Sequence, residues 1–278
     1  MSEIPPCTSK IAEAAESQAA RLKIQGAAGT GKTLALAYRV KHLVESGVDA
    51  SDILVVVMSR NSQQRFADLL DEIGVEQEIS VKPVHEIFVD TLSSPHAIES
   101  TGRVPRLLTH SEEKFLMEDM KTLGMKQNRL REILKYFYRQ WTEMGDRKED
   151  FFVAVDEELT VAFLKKLLTV EKGMLYAELS NILVHWLEDD ACAAKRIPYL
   201  LVDDYQDLNL ASQEACERLC TKSLTVAGNV NEAVETKEPY PYPKGFADFG
   251  TNDENAQTVL LERSLRCPQH IAAMENAL

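Results

Sequence analysis

The sequence lacks any apolar run that approaches the roughly 20 residues needed to span a bilayer. The start of the chain, with Glu3, Pro5 and Pro6, also lacks a basic region followed by an apolar stretch, which is the pattern of a secretory signal. These absences argue against a membrane partner and against export. We therefore expect a cytoplasmic protein.

Cysteine is scarce, and its spacing excludes the common metal and disulfide patterns. No pair forms C-x-x-C, and no histidine lies nearby at zinc-finger spacing, so reduced thiols are expected. Cys216 and Cys220 lie one helical turn apart, which is more typical of two small buried side chains than of a ligand pair. The five cysteines are Cys7, Cys192, Cys216, Cys220 and Cys267.

Positive charge is in short supply as well. Lysine and arginine number 31 against 44 aspartates and glutamates, for a formal net charge of −13. This excludes a surface that is basic all over, so a nucleic acid would have to meet a local cationic stripe. One candidate is residues 121–141, where six cations stand against one acid and four aromatic residues are interleaved. Two interpretations stay open, a phosphate-contacting face or the solvated face of an ordinary amphipathic helix.

One glycine-rich motif stands out among the features that are present. Residues 26–33 read GAAGTGKT and match G-x-x-x-x-G-K-[ST] at every fixed position. In such a loop the backbone N–H groups surround the β-phosphate, Lys32 bridges the β and γ oxygens, and the Thr33 hydroxyl ligates Mg²⁺. Gly26 and Gly31 permit a close backbone approach that a Cβ would block. The predicted nucleotide contacts are Gly26, Ala27, Ala28, Gly29, Thr30, Gly31, Lys32 and Thr33.

The surroundings of this loop favour a phosphate site. An apolar strand is predicted at residues 22–25, and an amphipathic helix follows the loop and ends at Gly47, which suits a left-handed helix cap. Strand, loop and helix therefore occur in the required order. The alternative is a glycine-rich turn with an accidental Lys-Thr pair.

The rest of the chain predicts an α/β fold with a helical insertion. A β-branched run at 53–58 is typical of a buried parallel strand, and a helix from 62 to 73 is terminated by Gly74. An extended piece then leads into His85 and a short apolar helix. This alternation predicts a parallel sheet flanked by helices. Helical periodicity dominates from about residue 93 to 196 and indicates an all-helical subdomain inserted into the α/β core.

Parallel strands resume after the helical block. They are predicted at 199–202 and 223–227 with a helix around 212–220 between them, and 238–250 is predicted to be a loop or a weakly ordered lid. The expected division is a core in two parts, 1–92 and 197–278, around the helical subdomain at 93–196.

An acidic pair follows the predicted strand Leu200-Leu201-Val202. A phosphate loop needs an acid at the tip of a neighbouring strand to hold Mg²⁺, and Asp203 has that position. Asp204 beside it could orient or deprotonate an attacking water. The alternative is a solvated acidic turn.

At this point the chain resembles a known family. LLVDDYQDLN at 200–209 is similar to the Walker B segment, V-D-E-x-Q-D-x-N, of the UvrD/Rep-type superfamily I DNA helicases. Five further segments resemble family motifs in the right order and cover nearly the whole chain. They are the phosphate loop at 26–33, the strand end at 58–60, 83–88 (T-x-H-x-F), 226–229 (G-D-x-x-Q) and 261–266 (L-E-x-N-Y-R).

The resemblance implies a P-loop NTPase fold of the RecA type, with ATP and Mg²⁺ as cofactors and single-stranded or partially duplex DNA as partner. It places Arg39 near the adenine and Arg266 on the γ-phosphate, so that Lys32, Asp203, Asp204 and Arg266 form the catalytic set. Ser59, Arg60 and His85 are the expected DNA contacts, since strand ends in an open α/β sheet face the ligand crevice. His85 is equally consistent with a structural role.

Several positions depart from the family pattern. Asp204 replaces a catalytic glutamate, Glu232 replaces a glutamine that senses the γ-phosphate, and Leu265 replaces an adenine-stacking tyrosine. A carboxylate at Glu232 would be repelled by phosphate. Other departures concern the adenine-reading glutamine, to which Lys10 or Gln18 is nearest, and the base-stacking aromatic residues, which fall at Glu235 and Lys237 with Tyr240, Tyr242, Phe246 and Phe249 as possible substitutes.

Three functions remain open. The first is the ATP-binding domain of a UvrD-like helicase whose second RecA-like domain lies outside this sequence, with a stand-alone module as the variant of that hypothesis. The second is a degenerate helicase-like scaffold or nuclease-complex subunit without productive hydrolysis. The third, a small-molecule P-loop kinase, would need a lid with arginines and would not explain residues 203–209.

Overall fold

A six-stranded sheet lies at the centre of the computed structural model, which describes residues 7–148, 151, 155–189, 196–234 and 239–265. Its strand order is β3-β2-β4-β5-β1-β6, and every pairing is parallel. The carboxyl ends of all six strands therefore lie at one edge. The strands are β1 (Arg21–Gly26), β2 (Ile53–Val57), β3 (Ser80–Pro83), β4 (Ile197–Val202), β5 (Cys220–Gly228) and β6 (Ala256–Leu261).

Helices cover both faces of this sheet. One face carries α1 (Ser9–Glu16), α2 (Lys32–Glu45) and α3 (Arg60–Glu72), whose apolar side chains share one core with the strands. The other face carries α4 (Val84–Leu92), α9 (Tyr176–Asp189), α10 (Leu210–Leu219) and α11 (Pro243–Asp248). The predicted α/β fold with a parallel sheet is confirmed. No helix in the described part of the chain is long and apolar enough to cross a membrane.

The strands alternate between the two cores. Val55 and Val57 of β2 belong to the core with α2 and α3, whereas Val56 belongs to the core with α4 and α9. In β4, Leu201 likewise faces away from Leu200. Because both faces are buried, these strands appear in the sequence as continuous apolar runs and not as alternating ones.

The predicted helical subdomain is present between α4 and β4. It contains α5 (Pro95–Thr101), α6 (His110–Met120), α7 (Gln127–Thr142) and α8 (Val155–Val170) in addition to α9. Side chains of α6, α7 and α8 form a third apolar core of their own, while α9 packs on α4, α7 and α10. Helix α9 thus joins the subdomain to the sheet. The boundaries at 93 and 196 stay a prediction.

The cationic segment 121–141 mostly corresponds to α7. Its aromatic residues Phe137 and Trp141 are buried in the third core, and Arg129 and Arg139 pair with glutamates. These contacts favour the ordinary amphipathic helix over a surface with exposed aromatic rings.

The prediction of a loop at 238–250 is wrong for residues 243–248, which form α11. Pro243 begins the helix at a position where its missing N–H costs nothing. Phe246 and Phe249 are buried and pack against the ring of Tyr205. These two phenylalanines are therefore core residues, and the expectation that they substitute as base-stacking residues is wrong.

Strand β6, which the sequence did not predict as a strand, extends the sheet beside β1.

Candidate nucleotide-binding site

The glycine-rich loop connects the carboxyl end of β1 to the first turn of α2. Gly31, the residue before the helix, has φ 93°, a left-handed conformation that residues with a Cβ rarely adopt. At Gly26 a Cβ would lie 2.8 Å from the carbonyl oxygen of Leu261 in β6. The loop is therefore tightly fitted between its neighbours. The N-terminal amides of α2 have no side-chain cap, which leaves them available to an anion.

Lys32 is buried in the first turn of α2, and its ammonium group has three hydrogen-bond partners. It donates to the carbonyl oxygens of Gly26 at 2.7 Å and Ala27 at 3.2 Å. The third partner is the Glu232 carboxylate, with 2.8 Å between Nζ and Oε2. The three N–H donors of the ammonium are thus all used.

Thr33 and Asp203 meet at the edge of the sheet, although 170 residues separate them. Asp203 follows β4 directly, and its N–H donates to the Val56 carbonyl of the neighbouring strand at 3.0 Å. The Thr33 hydroxyl donates to the Asp203 carboxylate, with 2.8 Å between Oγ1 and Oδ2. Parallel strand ends converge at one edge, which explains why residues so distant in sequence are adjacent here.

Burial disfavours ionisation of both adjacent carboxylates, Asp203 and Asp204. Burial raises the pKa of Asp203, and the neighbouring Asp204 raises it further, against the hydrogen bond from Thr33. Burial also raises the pKa of Asp204, against a hydrogen bond from Gln206 and the charge of Lys32. A divalent cation at this edge would favour the ionised forms.

The donor set fits Mg²⁺. Hydroxyl and carboxylate oxygens from Thr33 and Asp203 are the ligand types that Mg²⁺ prefers, and Mg²⁺ usually takes only one or two carboxylates besides water and phosphate. Within the described ranges no cluster of three or more His, Cys, Asp or Glu side chains forms a metal site. This edge of the sheet therefore suits a metal ion such as Mg²⁺ that takes phosphate oxygens as its other ligands.

Buried polar residues behind the acidic pair form a network that the sequence did not predict. The side chain of Gln206 accepts a hydrogen bond from the Asn229 N–H at 3.1 Å, and Asp207 accepts one from the Val234 N–H at 2.9 Å. Both link the segment after β4 to the turn that carries Glu232. A run of polar residues directly after an apolar strand was the available signal, since such residues are buried only when they are hydrogen-bonded.

The predicted DNA contacts lie at the same edge of the sheet, at the ends of β2 and β3. Ser59 is the N-cap of α3, and its hydroxyl accepts from the Ser62 N–H at 3.1 Å. The Arg60 side chain is 80% exposed and donates from Nε to Glu86 at 3.1 Å. The ring of His85, in the first turn of α4, lies against the ring of Tyr176, with 5.7 Å between centroids.

Arg39 lies elsewhere. It is buried two turns along α2, where Nε donates to the Thr225 hydroxyl at 2.8 Å and Nη1 donates to the Ser17 carbonyl at 2.8 Å. Burial lowers the pKa of its guanidinium to about 10. Thr225 belongs to the middle of β5, so Arg39 holds α1 and β5 together. This arrangement gives no support to the expected contact with adenine.

Four further positions singled out in the sequence have different outcomes. Leu265 lies directly beside the loop, and its N–H donates to the Gly29 carbonyl at 2.7 Å. Arg266, and also Glu235 and Lys237, lie outside the described residues.

A phosphate-type loop between a parallel strand and a helix, with an acid at a neighbouring strand end, defines the class of RecA-like P-loop NTPase domains. Comparison with known sequences gives the family within that class. The model of the UvrD/REP helicase N-terminal domain matches residues 7–234, so the chain belongs to this family. The resemblance predicted from the six motifs is confirmed.

A curated relative agrees with this assignment. The chain is 27% identical to the ATP-dependent DNA helicase PcrA of Leuconostoc citreum over an alignment of 290 residues, which covers 97% of this chain. The chain spans 38% of the length of that relative.

Proposed function

We propose that the chain is the ATP-binding domain of a UvrD-like DNA helicase, in which ATP hydrolysis drives translocation and unwinding by the full-length protein. The hydrogen bond between Thr33 and Asp203, beside the Lys32 ammonium, is the single observation that carries this proposal. It brings a hydroxyl, a carboxylate and a cation to the end of one phosphate-type loop. The relative's name as an ATP-dependent DNA helicase supports the same activity.

The roles follow from the chemistry of each group. The amides of residues 26–33 and the ammonium of Lys32 bind the phosphates, and Thr33 and Asp203 hold Mg²⁺, which neutralises phosphate charge when bound. Asp204 orients or deprotonates the attacking water. Arg266, which follows the last described residue, is proposed to contact the γ-phosphate.

Single-stranded or partially duplex DNA is the proposed polymeric partner. Ser59, Arg60 and His85 lie at the ends of adjacent strands, on the edge that carries Asp203, and Arg60 presents an exposed cation there. A phosphate backbone along this edge would lie close to the nucleotide site, which is the proximity that coupling of hydrolysis to movement requires. A second RecA-like domain is the proposed protein partner, consistent with the 38% coverage of the relative.

Replacement of Lys32 by alanine tests the nucleotide site. Calorimetry with Mg²⁺ and a non-hydrolysable ATP analogue should detect binding to the wild-type chain and none to Lys32→Ala. Lys41→Ala is the matched control, because Lys41 lies on the same helix but donates to the Ile73 carbonyl, away from the loop. An unchanged affinity of Lys32→Ala would show that the loop assignment is wrong.

A scaffold without productive hydrolysis is the second candidate, and the Lys32–Glu232 ion pair is the observation that favours it. Single-turnover ATPase measurements on the full-length parent with single-stranded DNA separate the two. Stimulation by DNA supports the motor, and its absence supports the scaffold. The small-molecule kinase is disfavoured because the chain belongs to the helicase family.

A further inference from the structure

The carboxylate of Glu232 binds the ammonium group of Lys32, which a bound phosphate would also need. Lys32 donates to two loop carbonyls and to Glu232, and this uses the three donors that an ammonium has. The two side chains are largely withdrawn from water, with 9% and 23% exposed for Lys32 and Glu232. The contact is therefore screened less than a surface ion pair.

Glu232 is held in place and is not a freely moving surface side chain. Its second oxygen accepts from the Asn229 side-chain amide at 3.0 Å, and its N–H donates to the Asn229 carbonyl at 3.1 Å. The turn itself is fastened at Asn229 and Val234 to the polar segment after β4. The buried network thus sets the carboxylate beside Lys32.

Glu232 affects the two terminal phosphates of a nucleotide differently. In a loop of this type the backbone amides contact the α- and β-phosphates, whereas the lysine reaches the β- and γ-phosphates. A diphosphate can use the amides while Glu232 stays near the lysine. A triphosphate brings a further anionic group to the same ammonium and has to displace the carboxylate.

We propose that Glu232 is a specificity-determining residue that makes this site bind nucleoside diphosphates more tightly than triphosphates. The inference rests on the proposed nucleotide site and adds to it the phosphate chain length that the site prefers. Binding of a triphosphate requires the Lys32–Glu232 ion pair to open, so the pair holds the site closed against the γ-phosphate. Replacement of the carboxylate by an isosteric amide removes the competing charge and leaves the turn's shape unchanged.

Calorimetry with ADP and with the non-hydrolysable triphosphate AMP-PNP, each with Mg²⁺, tests the preference. The wild-type chain should bind ADP more tightly. Glu232→Gln should change the ratio of the two affinities by about tenfold or more in favour of AMP-PNP, equivalent to about 1.4 kcal/mol. Glu217→Gln is the matched control, because it breaks the ion pair of Glu217 with Arg21 at 2.7 Å, away from the loop, and should leave the ratio unchanged.

Each remaining outcome bears on one of the two proposals. Glu232→Gln could bind both nucleotides with the same ratio of ADP to AMP-PNP affinity as the wild type. That result would overturn the role of Glu232 without contradicting the nucleotide site. If Glu232→Gln does not fold, the wild-type chain alone decides, since AMP-PNP binding as tight as ADP binding overturns the preference. Absence of binding by every variant, with either nucleotide, would overturn the proposed function itself.

Discussion

At the scale of single residues, the site contains a buried carboxylate and a left-handed backbone position, each of which costs folding free energy. Asp203 is buried and next to another carboxylate, and the hydrogen bond from Thr33 offsets only part of that cost. Asp204 has φ 51°, a left-handed conformation that aspartate tolerates better than most residues with a Cβ. Strained and charged positions of this kind concentrate at functional sites.

The Thr33 hydroxyl should be needed for the effect of Mg²⁺ on nucleotide binding. Thr33→Val keeps the shape of the side chain and removes the donor to Asp203 together with the proposed metal ligand. Loss of an outer-shell partner of a metal typically costs about 10–100-fold in affinity, and loss of a proposed ligand should cost at least as much. Nucleotide titrations with and without Mg²⁺ should show this loss for Thr33→Val and not for Thr33→Ser, which keeps the hydroxyl. Equal Mg²⁺ dependence in both variants would contradict the assignment.

Asp204 should matter for hydrolysis and not for binding. Asp204→Asn removes the proposed base without changing the size of the side chain, and loss of general-base catalysis typically costs about 10²–10⁴-fold in rate. Single-turnover hydrolysis by the full-length parent should fall in that range while the affinity for the ATP analogue stays near that of the wild type. A variant that hydrolyses ATP at the wild-type rate would remove Asp204 from the mechanism.

At the scale of elements, a buried ion pair fixes the start of α9 within the helical subdomain. Glu178 in its first turn accepts two hydrogen bonds from Arg103, at 2.6 and 3.3 Å, and a third from the Leu175 N–H at 2.9 Å. Arg103 also donates to the Gly173 carbonyl at 2.9 Å. These contacts join the segment after α5 to the start of α9.

Removal of Glu178 should destabilise the chain strongly. The side chains of Arg103 and Glu178 are 10% and 3% exposed, so Glu178→Ala leaves a buried cation without its partner. Breaking such a pair typically costs about 3–5 kcal/mol. Urea unfolding should show this loss, whereas Glu143→Gln, which breaks the exposed pair with Arg139, should leave the unfolding midpoint nearly unchanged. Equal effects of the two substitutions would contradict the importance of burial.

The contact between α9 and the turn before α8 should depend on pH. A hydrogen bond to Asp146 at 2.8 Å raises the pKa of His185, partly against the effect of burial. Because the folded-state pKa is above the unfolded value, the contact stabilises the fold below the unfolded pKa and is lost as pH rises through the folded pKa. Glu188 also favours the charged ring, and Arg147 opposes it.

Thermal unfolding at about pH 5.5 and about pH 8.5 tests this dependence. The wild-type midpoint should exceed that of His185→Gln mainly at the lower pH, by at most about 4 °C, because the pair is partly exposed. Asp146→Asn should remove the same pH-dependent difference. A difference that is as large at the higher pH would assign the effect to packing.

Local sequence patterns explain most of the fold and part of the site. The run at 53–58 and the motif at 26–33 are contiguous, so their strand and loop follow from neighbouring residues. The proximity of Thr33 and Asp203 follows from one rule, that parallel strand ends share an edge. The contact of Lys32 with Glu232 spans 200 residues and depends on the conformation of a short turn, which no local pattern specifies. Helix α11 was missed because prolines and glycines at 239–250 also indicate a loop.

At the scale of the whole molecule, charge distribution decides where the proposed DNA partner could bind. The chain carries a formal charge of −13, so a general attraction to the phosphate backbone is absent and a local cationic surface has to supply it. Two surfaces are candidates. One is the edge of the sheet near Arg60, and the other is the exposed side of α7, which carries Lys135.

Salt dependence of single-strand binding distinguishes the two surfaces. Each phosphate that a cation neutralises contributes about 0.7 to the slope of log affinity against log salt concentration for single strands. Arg60→Ala should therefore weaken binding of a fluorescent single strand for all sequences and reduce the slope by about that amount. Lys135→Ala removes the same charge from α7 and should leave the slope unchanged. The reverse result would place the DNA on the helical subdomain and remove Arg60 from the interface, since a cation that contacts no phosphate releases no counterion.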